Sequence, residues 1–351
     1  MSKTLNFDAS DHQTFAPRVV AWQQTHGRHD LPWQNTQDPY KVWLSEIMLQ
    51  QTQVTTVMGY FERFIRRFPG VSDLASAELD EVLGLWSGLG YYSRARNLHR
   101  AAQQVMSEHA GVMPRSAESL QTLPGIGRST AAAIASLCFG ERVAILDGNV
   151  KRVLTRYLGY DQDLAQSKNE RALWSLAQDL LPQQQIAHAM PHYTQGVMDL
   201  GATVCSPRQP RCEVCPVRSG CAAAAQGDPG RYPVKTKKLK RSAESWWLLQ
   251  ARTSDGAVWL TRRPARGIWA HLYCLPMYES FDSLRDSVPA CDRSQLQTGE
   301  VFKHVLTHKD LYLHPVQLQV TESTRWVTGE WVMADQWATL GLPAPVRKLL
   351  S

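Results

Sequence analysis

The sequence predicts a multidomain protein, all-α in its N-terminal part and α+β in its C-terminal part. Three observations lead there. Between Asp11 and Leu181 apolar residues recur at helical spacing, with no strand-like alternation to compete. A group of cysteines and then a basic stretch punctuated by Gly and Pro interrupt that pattern. Beyond Ser242 short runs rich in Val, Leu, Trp and Tyr take over, as strands prefer. A chain of 351 residues has material for two cores of ordinary size.

Within the helical part the clearest stretch is 42–64. On a helical wheel Trp43, Ile47, Val54, Met58, Phe61 and Ile65 fall on one face of it. Further helices are predicted at 79–86, 95–109, 129–139, 150–157 and 170–180, with breaks at the glycines and prolines of 68–70, 88–90 and 124–127. Strands are predicted at 246–251, 258–261, 311–313 and 316–320. The implied organisation is a first domain at 11–227, a basic exposed linker at 228–241 and a second domain at 242–351. No internal repeat is visible.

Composition narrows the class of function without naming one. With 43% hydrophobic and 20% charged residues the chain has the makeup of a soluble globular protein. Its net charge of +6 permits a nucleic-acid partner but does not demand one. The first fifteen residues lack the apolar core of a secretory signal, and no apolar run approaches a membrane span. A cytoplasmic setting is expected, where seven cysteines are not a disulfide framework.

Four of those cysteines stand together. Cys205, Cys212, Cys215 and Cys221 are separated by six, two and five residues. Thiolates on a short loop suit either zinc or an iron–sulfur cluster, and the long first gap leans toward iron. Four protein ligands leave no position for substrate, so the role is structural. Arg208, Arg211 and Arg218 on the same loop could meet a phosphate backbone.

Two segments carry candidate chemistry. In Leu123-Pro124-Gly125-Ile126-Gly127-Arg128-Ser129-Thr130-Ala131 two glycines allow a tight turn, and the helix that follows points free N–H groups outward. A plain helical corner would look the same. Asp147 comes twenty residues after Gly127, near the N-terminus of the helix at 150–157. There it can cap, and capping is expected to hold its pKa low and keep it ionised. The second segment is Ser45-Glu46-Ile47-Met48-Leu49-Gln50-Gln51-Thr52-Gln53. The wheel places Gln50 inside the apolar stripe, with Glu46 and Gln53 at its border. A lone helical Glu is ordinarily solvated. Flanked by Trp43, Ile47 and Gln50, however, Glu46 is expected to be desolvated and its pKa raised. One carboxyl kept protonated and another kept ionised is a pairing that cleaves glycosidic bonds.

Together the hairpin at 123–131, the aspartate after it and the four-cysteine loop resemble the endonuclease III superfamily of DNA glycosylases. Residues 43–53, with Gly88-Leu89-Gly90-Tyr91-Tyr92-Ser93-Arg94-Ala95-Arg96, are similar to its adenine-removing branch. The resemblance extends over essentially the whole chain. It implies an all-α helix-hairpin-helix glycosylase domain with an iron–sulfur cluster loop, plus an α+β Nudix-like C-terminal domain. It also implies one [4Fe–4S] cluster on Cys205, Cys212, Cys215 and Cys221, and, as substrate, duplex DNA with adenine opposite 8-oxoguanine or guanine. A monomer acting on the nucleoid, without a membrane, is expected.

The resemblance further implies roles for single residues. The adenine is flipped into a pocket. Glu46 protonates its N7, Asp147 stabilises the oxocarbenium ion or traps it covalently, and Asn149 helps orient the site. Gln51, Leu89 and Tyr91 match positions that wedge into the duplex, with Gln50 beside them, and Leu31, Trp33 and Gln195 match the pocket lining. Gly125 and Gly127 form the DNA-contacting hairpin. Ser129 stands where strand-nicking relatives carry a Schiff-base lysine, so efficient lyase activity is not expected, although Lys151 lies near for a weak crosslink.

The stretch Gly267-Ile268-Trp269-Ala270-His271-Leu272-Tyr273-Cys274-Leu275-Pro276 resembles a MutT-like domain without the acidic run that holds magnesium, which implies recognition rather than hydrolysis. Such domains read 8-oxoguanine through a Phe-Ser-His loop. Leu306-Thr307-His308 keeps the hydroxyl and gives up the ring. Three rivals remain open from sequence: a pyrimidine-lesion glycosylase/lyase, a mismatch-thymine glycosylase and a non-catalytic iron–sulfur DNA-binding protein. Ser129 and the extra domain weigh against the first, the 8-oxoguanine reader against the second, and the two carboxylates against the third.

Overall fold

A computed structural model describes residues 9–34, 36–236, 240–320 and 328–351. Contacts divide the chain into two compact units, Met1–Ala75 with Arg100–Lys238, and Ser76–His99 with Leu239–Ser351. The helices run in the order α1 (Ala9–His26), α2 (Pro39–Leu49), α3 (Val54–Arg67), α4 (Val71–Ser76), α5 (Leu79–Leu85), α6 (Ser93–Glu108), α7 (Ala117–Leu120), α8 (Arg128–Phe139), α9 (Gly148–Leu158), α10 (Ser167–Asp179) and α11 (Ile186–Asp199). None of the described helices is long and apolar enough to cross a membrane.

The first unit is helical. Phe15 and Val19 of α1, Val150, Val153 and Tyr157 of α9, Leu173 of α10 and Tyr193 and Val197 of α11 share one core, with Cys205, Cys215 and Cys221 packed at its margin. α9 opens on Asp147 as N-cap and closes on Gly159, whose left-handed φ of 60° ends the helix. A π-helical turn, Leu200–Val204, continues α11 into the cysteine loop.

The stretch 42–64 is not one helix. α2 stops at Leu49, Gln51 adopts a left-handed φ of 57°, and α3 starts afresh at Val54. α2 buries Tyr40, Val42, Trp43, Leu44, Ser45, Ile47 and Met48, nearly its full circumference, so it has no single stripe. α3 instead buries Val57, Phe61 and Phe64 at helical spacing and leaves Met58 exposed. A wheel drawn through both helices mixed two faces, and Gln50 belongs to neither: it is the C-cap of α2.

The stretch expected as an exposed linker is docked in its first half. Tyr232 is buried and donates to Gln226 Oε1 at 3.0 Å, while Val234 O accepts from Leu164 N at 3.0 Å. Residues 237–239, with two of the lysines that mark it as basic, lie outside the described residues.

The second unit is built on a sheet of strands β1 (Ser242–Thr253), β2 (Val258–Arg262), β3 (Tyr273–Cys274), β4 (Met277–Tyr278), β5 (Gln297–Thr298), β6 (Phe302–Val305), β7 (Lys309–Val320) and β8 (Glu330–Val332). β1 and β7 run parallel at its centre, from Ser242↔Lys309 to Thr253↔Val320. Leu248 faces one side of the sheet with Leu311 and Leu313, and Leu249 faces the other with Val316, Leu318 and Val320. The sequence predicts 311–313 and 316–320 as separate strands because the apolar alternation changes phase at Pro315. The strand is continuous, and its two halves bury opposite faces. Pro315 is tolerated because it falls between the residues that pair with β6 and those that pair with β5.

Gly196 sets how closely α1 meets α11. A Cβ there would stand 2.8 Å from Val19 Cγ1 and 2.9 Å from Gln23 Cβ. Gly196→Ala is therefore expected to destabilise the helical unit by about 1–3 kcal/mol. A thermal melt should show its Tm several degrees lower, whereas an unchanged Tm would mean the two helices have room to part.

Candidate active site

α2 begins where the Asp38 carboxylate accepts from Tyr40 N at 3.0 Å and Pro39 occupies the first helical position. Because the helix is buried on nearly all sides, Glu46 cannot turn to bulk water. It lines a narrow cavity of about 50 Å³ with Leu31, Trp33, Ser45, Leu49 and Gln195 among its walls. Its surface faces that cavity, so it keeps some accessible area although protein encloses it. Burial pushes its carboxyl up to about 7, and the nearby Asp147 adds to the rise. Leu31, Trp33 and Gln195, assigned to the pocket by resemblance, do meet Glu46 in one cavity. Trp33 is held edge-on against Phe61, ring centroids 5.4 Å apart.

Asp147 caps α9, its Oδ1 accepting from Val150 N at 2.7 Å. The expected low pKa does not follow. Burial raises the carboxyl, and the N–H groups of Val150 and Asn149 with the cations Arg152 and Lys151 only oppose that rise. Capping was expected to dominate, and desolvation outweighs it. No lowering influence acts on Glu46, so of the pair it is the carboxyl held further above its ordinary range.

The hairpin supports Asp147 directly. Gly125 has a left-handed φ of 79°, Gly127 is the N-cap of α8, and both are exposed. Ser129 on the first turn of α8 accepts through Oγ from Leu146 N at 3.1 Å, which fixes the residue before Asp147. Gln50 Nε2 donates to Thr130 Oγ1 at 3.4 Å, a long bond that joins the glutamine run to the same helix. Lys151 pairs with Glu170 and is not aimed alone at the site. Gln51 is exposed, whereas Leu89 is buried and does not stand ready as a wedge.

Residues the sequence did not flag complete the site. Asp199, fully buried, accepts from Arg28 Nε at 2.7 Å, from Arg28 N at 2.9 Å and from Gln195 Nε2 at 2.9 Å. The i,i+4 spacing of Gln195 and Asp199 on α11 was the available signal. Arg152 donates to Asn149 Oδ1 at 2.8 Å, to Gly201 O at 2.7 Å and to Cys205 O at 2.8 Å. Arg156, 2% exposed, donates to Ser206 O at 2.7 Å, Pro207 O at 3.0 Å and Cys205 Sγ at 3.3 Å. Cys205, Cys212, Cys215 and Cys221 line one small cavity with Arg156. Among the described residues no three His, Cys, Asp or Glu side chains gather as a single-ion site.

In the second unit the turn Leu306-Thr307-His308 joins β6 to β7. It lines a groove of about 600 Å³ with Tyr91, Trp269 and His304. The hydroxyls of Thr307 and Tyr91 lie 2.5 Å apart, and His308 O accepts from Ser242 N at 3.1 Å. Tyr91, 45% exposed and at a left-handed φ of 48°, follows a loop braced by Arg94, which donates to Leu89 O and Gly90 O at 3.3 Å each.

The chain matches the family of HhH-GPD superfamily base excision DNA repair proteins over residues 44–179 and the NUDIX domain family over 247–351. It is 35% identical over 348 residues to the adenine DNA glycosylase of Buchnera aphidicola subsp. Acyrthosiphon pisum, covering 96% of each chain. With the adenine DNA glycosylase of Mus musculus it shares 46% identity over 226 residues, which is 62% of this chain and 43% of that protein. Among solved structures it resembles a thermostable thymine-DNA glycosylase, with a TM-score of 0.54 and 30% identity, over 62% of this chain and 98% of that one.

A raised pKa is also a stability statement. The folded state binds the Glu46 proton more tightly than the unfolded chain does, so its contribution is complete at low pH and is lost as pH rises through about 7. Glu46→Gln carries no such loss. Its stability relative to wild type is expected to grow by about 1–3 kcal/mol between about pH 4 and about pH 8. Paired denaturant titrations at the two pH values check this; an unvarying difference would mean that Glu46 is solvated.

Proposed function

The chain belongs to the adenine DNA glycosylases, and we propose that it excises adenine mispaired with 8-oxoguanine or guanine through the carboxyls of Glu46 and Asp147. It is a hydrolase of N-glycosyl bonds that acts on DNA in base excision repair. The observation that carries the mechanism is the pair itself: one enclosed carboxyl held up to about 7, beside another tied to a helix N-terminus.

A flipped adenine in the pocket of Leu31, Trp33 and Gln195 meets Glu46 as proton donor to N7. The C1′–N9 bond then breaks with its electron pair leaving on the base. Ionised Asp147 faces the positive sugar, held by Val150 N and flanked by Asn149, until water adds at C1′ and its proton restores Glu46. Ser129 offers no amine for an imine and is already engaged as an acceptor, which favours a monofunctional glycosylase.

The cysteine cavity fits a [4Fe–4S] cluster held by Cys205, Cys212, Cys215 and Cys221. A cluster takes one thiolate per iron and so needs four sulfurs gathered around one cavity. Burial pushes the Cys215 thiol up to about 12, a penalty that bound iron would offset by holding the thiolate. When bound, the cluster would tie the loop together. The loop's backbone is held to α9 by Arg152 and Arg156. In the second unit, Thr307 and His308 at the groove with Tyr91 support recognition of 8-oxoguanine.

The likeness to a thymine-DNA glycosylase covers 62% of the chain, whereas the adenine DNA glycosylase of Buchnera aphidicola matches 96% of it. Single-turnover incubation with labelled duplexes separates the two. Alkali-dependent cleavage at adenine opposite 8-oxoguanine or guanine, with little opposite thymine, is expected. Glu46→Gln and Asp147→Asn are expected to lower base release by about two to four orders of magnitude with mismatch binding largely kept. Turnover near the wild-type rate in either variant would contradict the assigned roles.

A further inference from the structure

Beside the base pocket lies a larger chamber that the chemistry above does not use. It measures about 450 Å³, against about 50 Å³ for the pocket. Arg28, Trp33, Val42, Leu137 and Gln195 line both, so one wall separates them. From that wall the chamber reaches solvent past His29, Ala187 and His188, which are exposed. We propose that this chamber is the exit for the freed purine: adenine released at Glu46 passes through it to solvent while the abasic duplex is still bound. The inference rests on the excision reading.

The chemistry of cleavage creates the need for such a route. Before the C1′–N9 bond breaks, the base is tethered through its own sugar, which occupies the mouth by which it entered. After hydrolysis the sugar remains part of the duplex and still covers that mouth. The free base then either waits for the duplex to leave or departs another way.

The chamber suits a small, neutral, planar molecule carrying both donors and acceptors. Gln34 Nε2, buried on its wall, has no hydrogen-bond partner among the described residues and is free to donate. Trp33 offers a ring shared by both cavities. His192 Nδ1 lies 2.6 Å from Gln23 Oε1, and His29 Nε2 lies 3.0 Å from Gln23 O. Burial, then the neighbouring His188 and His29, holds the His192 imidazole below its ordinary range and so neutral; with Nδ1 donating to Gln23 Oε1, its Nε2 is left to accept. The charges that face the chamber are few: Arg28 is consumed by buried Asp199. Dispersed, neutral partners let a base through without trapping it.

The test uses the full-length protein and a duplex whose target adenine is radiolabelled in the base. After one turnover, the departure of label and of abasic duplex from the protein is timed separately by rapid filtration. In the wild type the label is expected to leave before the duplex. Ala187→Trp and His188→Trp each place an indole in the outer chamber and are expected to prolong retention of the label on the order of tenfold relative to abasic-site formation. Equal rate constants for label and duplex in the wild type would overturn the proposal. So would early escape of the label from both filled variants while they hold duplex. A complete lack of abasic sites would instead strike the excision reading, and this inference with it.

Discussion

Two desolvated carboxyls lie near enough for Asp147 to act on Glu46, and the surrounding helices hold them there. Burial raises both groups, and the nearby Asp147 raises Glu46 further. What distinguishes them is counterweight. Asp147 has two helix N–H groups and two cations that oppose its rise, whereas nothing lowers Glu46, on a helix buried on nearly all sides. The asymmetry raises Glu46 more than Asp147, as the proposed division of labour requires. Such a site strains the fold, so its walls have to be rigid.

That rigidity converges on α9. Its first turn caps onto Asp147 and presents Asn149 to Arg152 of the next turn. Arg152 in turn grips the π-turn carbonyl of Gly201, and one turn further Arg156 collects the carbonyls of the cysteine loop. Gly201 has to be glycine because a Cβ there would stand 2.8 Å from Asn149 Cβ. The cysteine loop and Asp147 therefore hang on a single helix. A structural cluster would act on chemistry through that helix, without touching the substrate.

How much of this was legible depended on whether the signal was local. The cysteines, the glycine hairpin and the cap at Asp147 are short patterns with local causes, and Leu31, Trp33, Glu46 and Gln195 line one cavity. The desolvation of Glu46 was readable from its apolar flanks. Its size was not, because it depends on α2 being buried on nearly every side. The same circumstance misled the wheel through 42–64, where a left-handed Gln51 splits two helices with different faces. Asp147 was misjudged in the opposite sense, since capping is visible in sequence and burial by distant helices is not. The buried Arg28–Asp199 pair joins positions far apart in the chain, and only its link to Gln195 left a local trace.

The division of labour between the carboxyls is tested most directly by titrating them in place. Infrared difference spectra of the wild type against Glu46→Gln isolate the carbonyl stretch of a neutral Glu46 acid. That band should persist through the ordinary carboxylate range, fade only as pH passes about 7, and shift to lower pH in Asp147→Asn. A band that vanishes in the ordinary range, or that ignores Asp147→Asn, would contradict the pairing on which the mechanism stands.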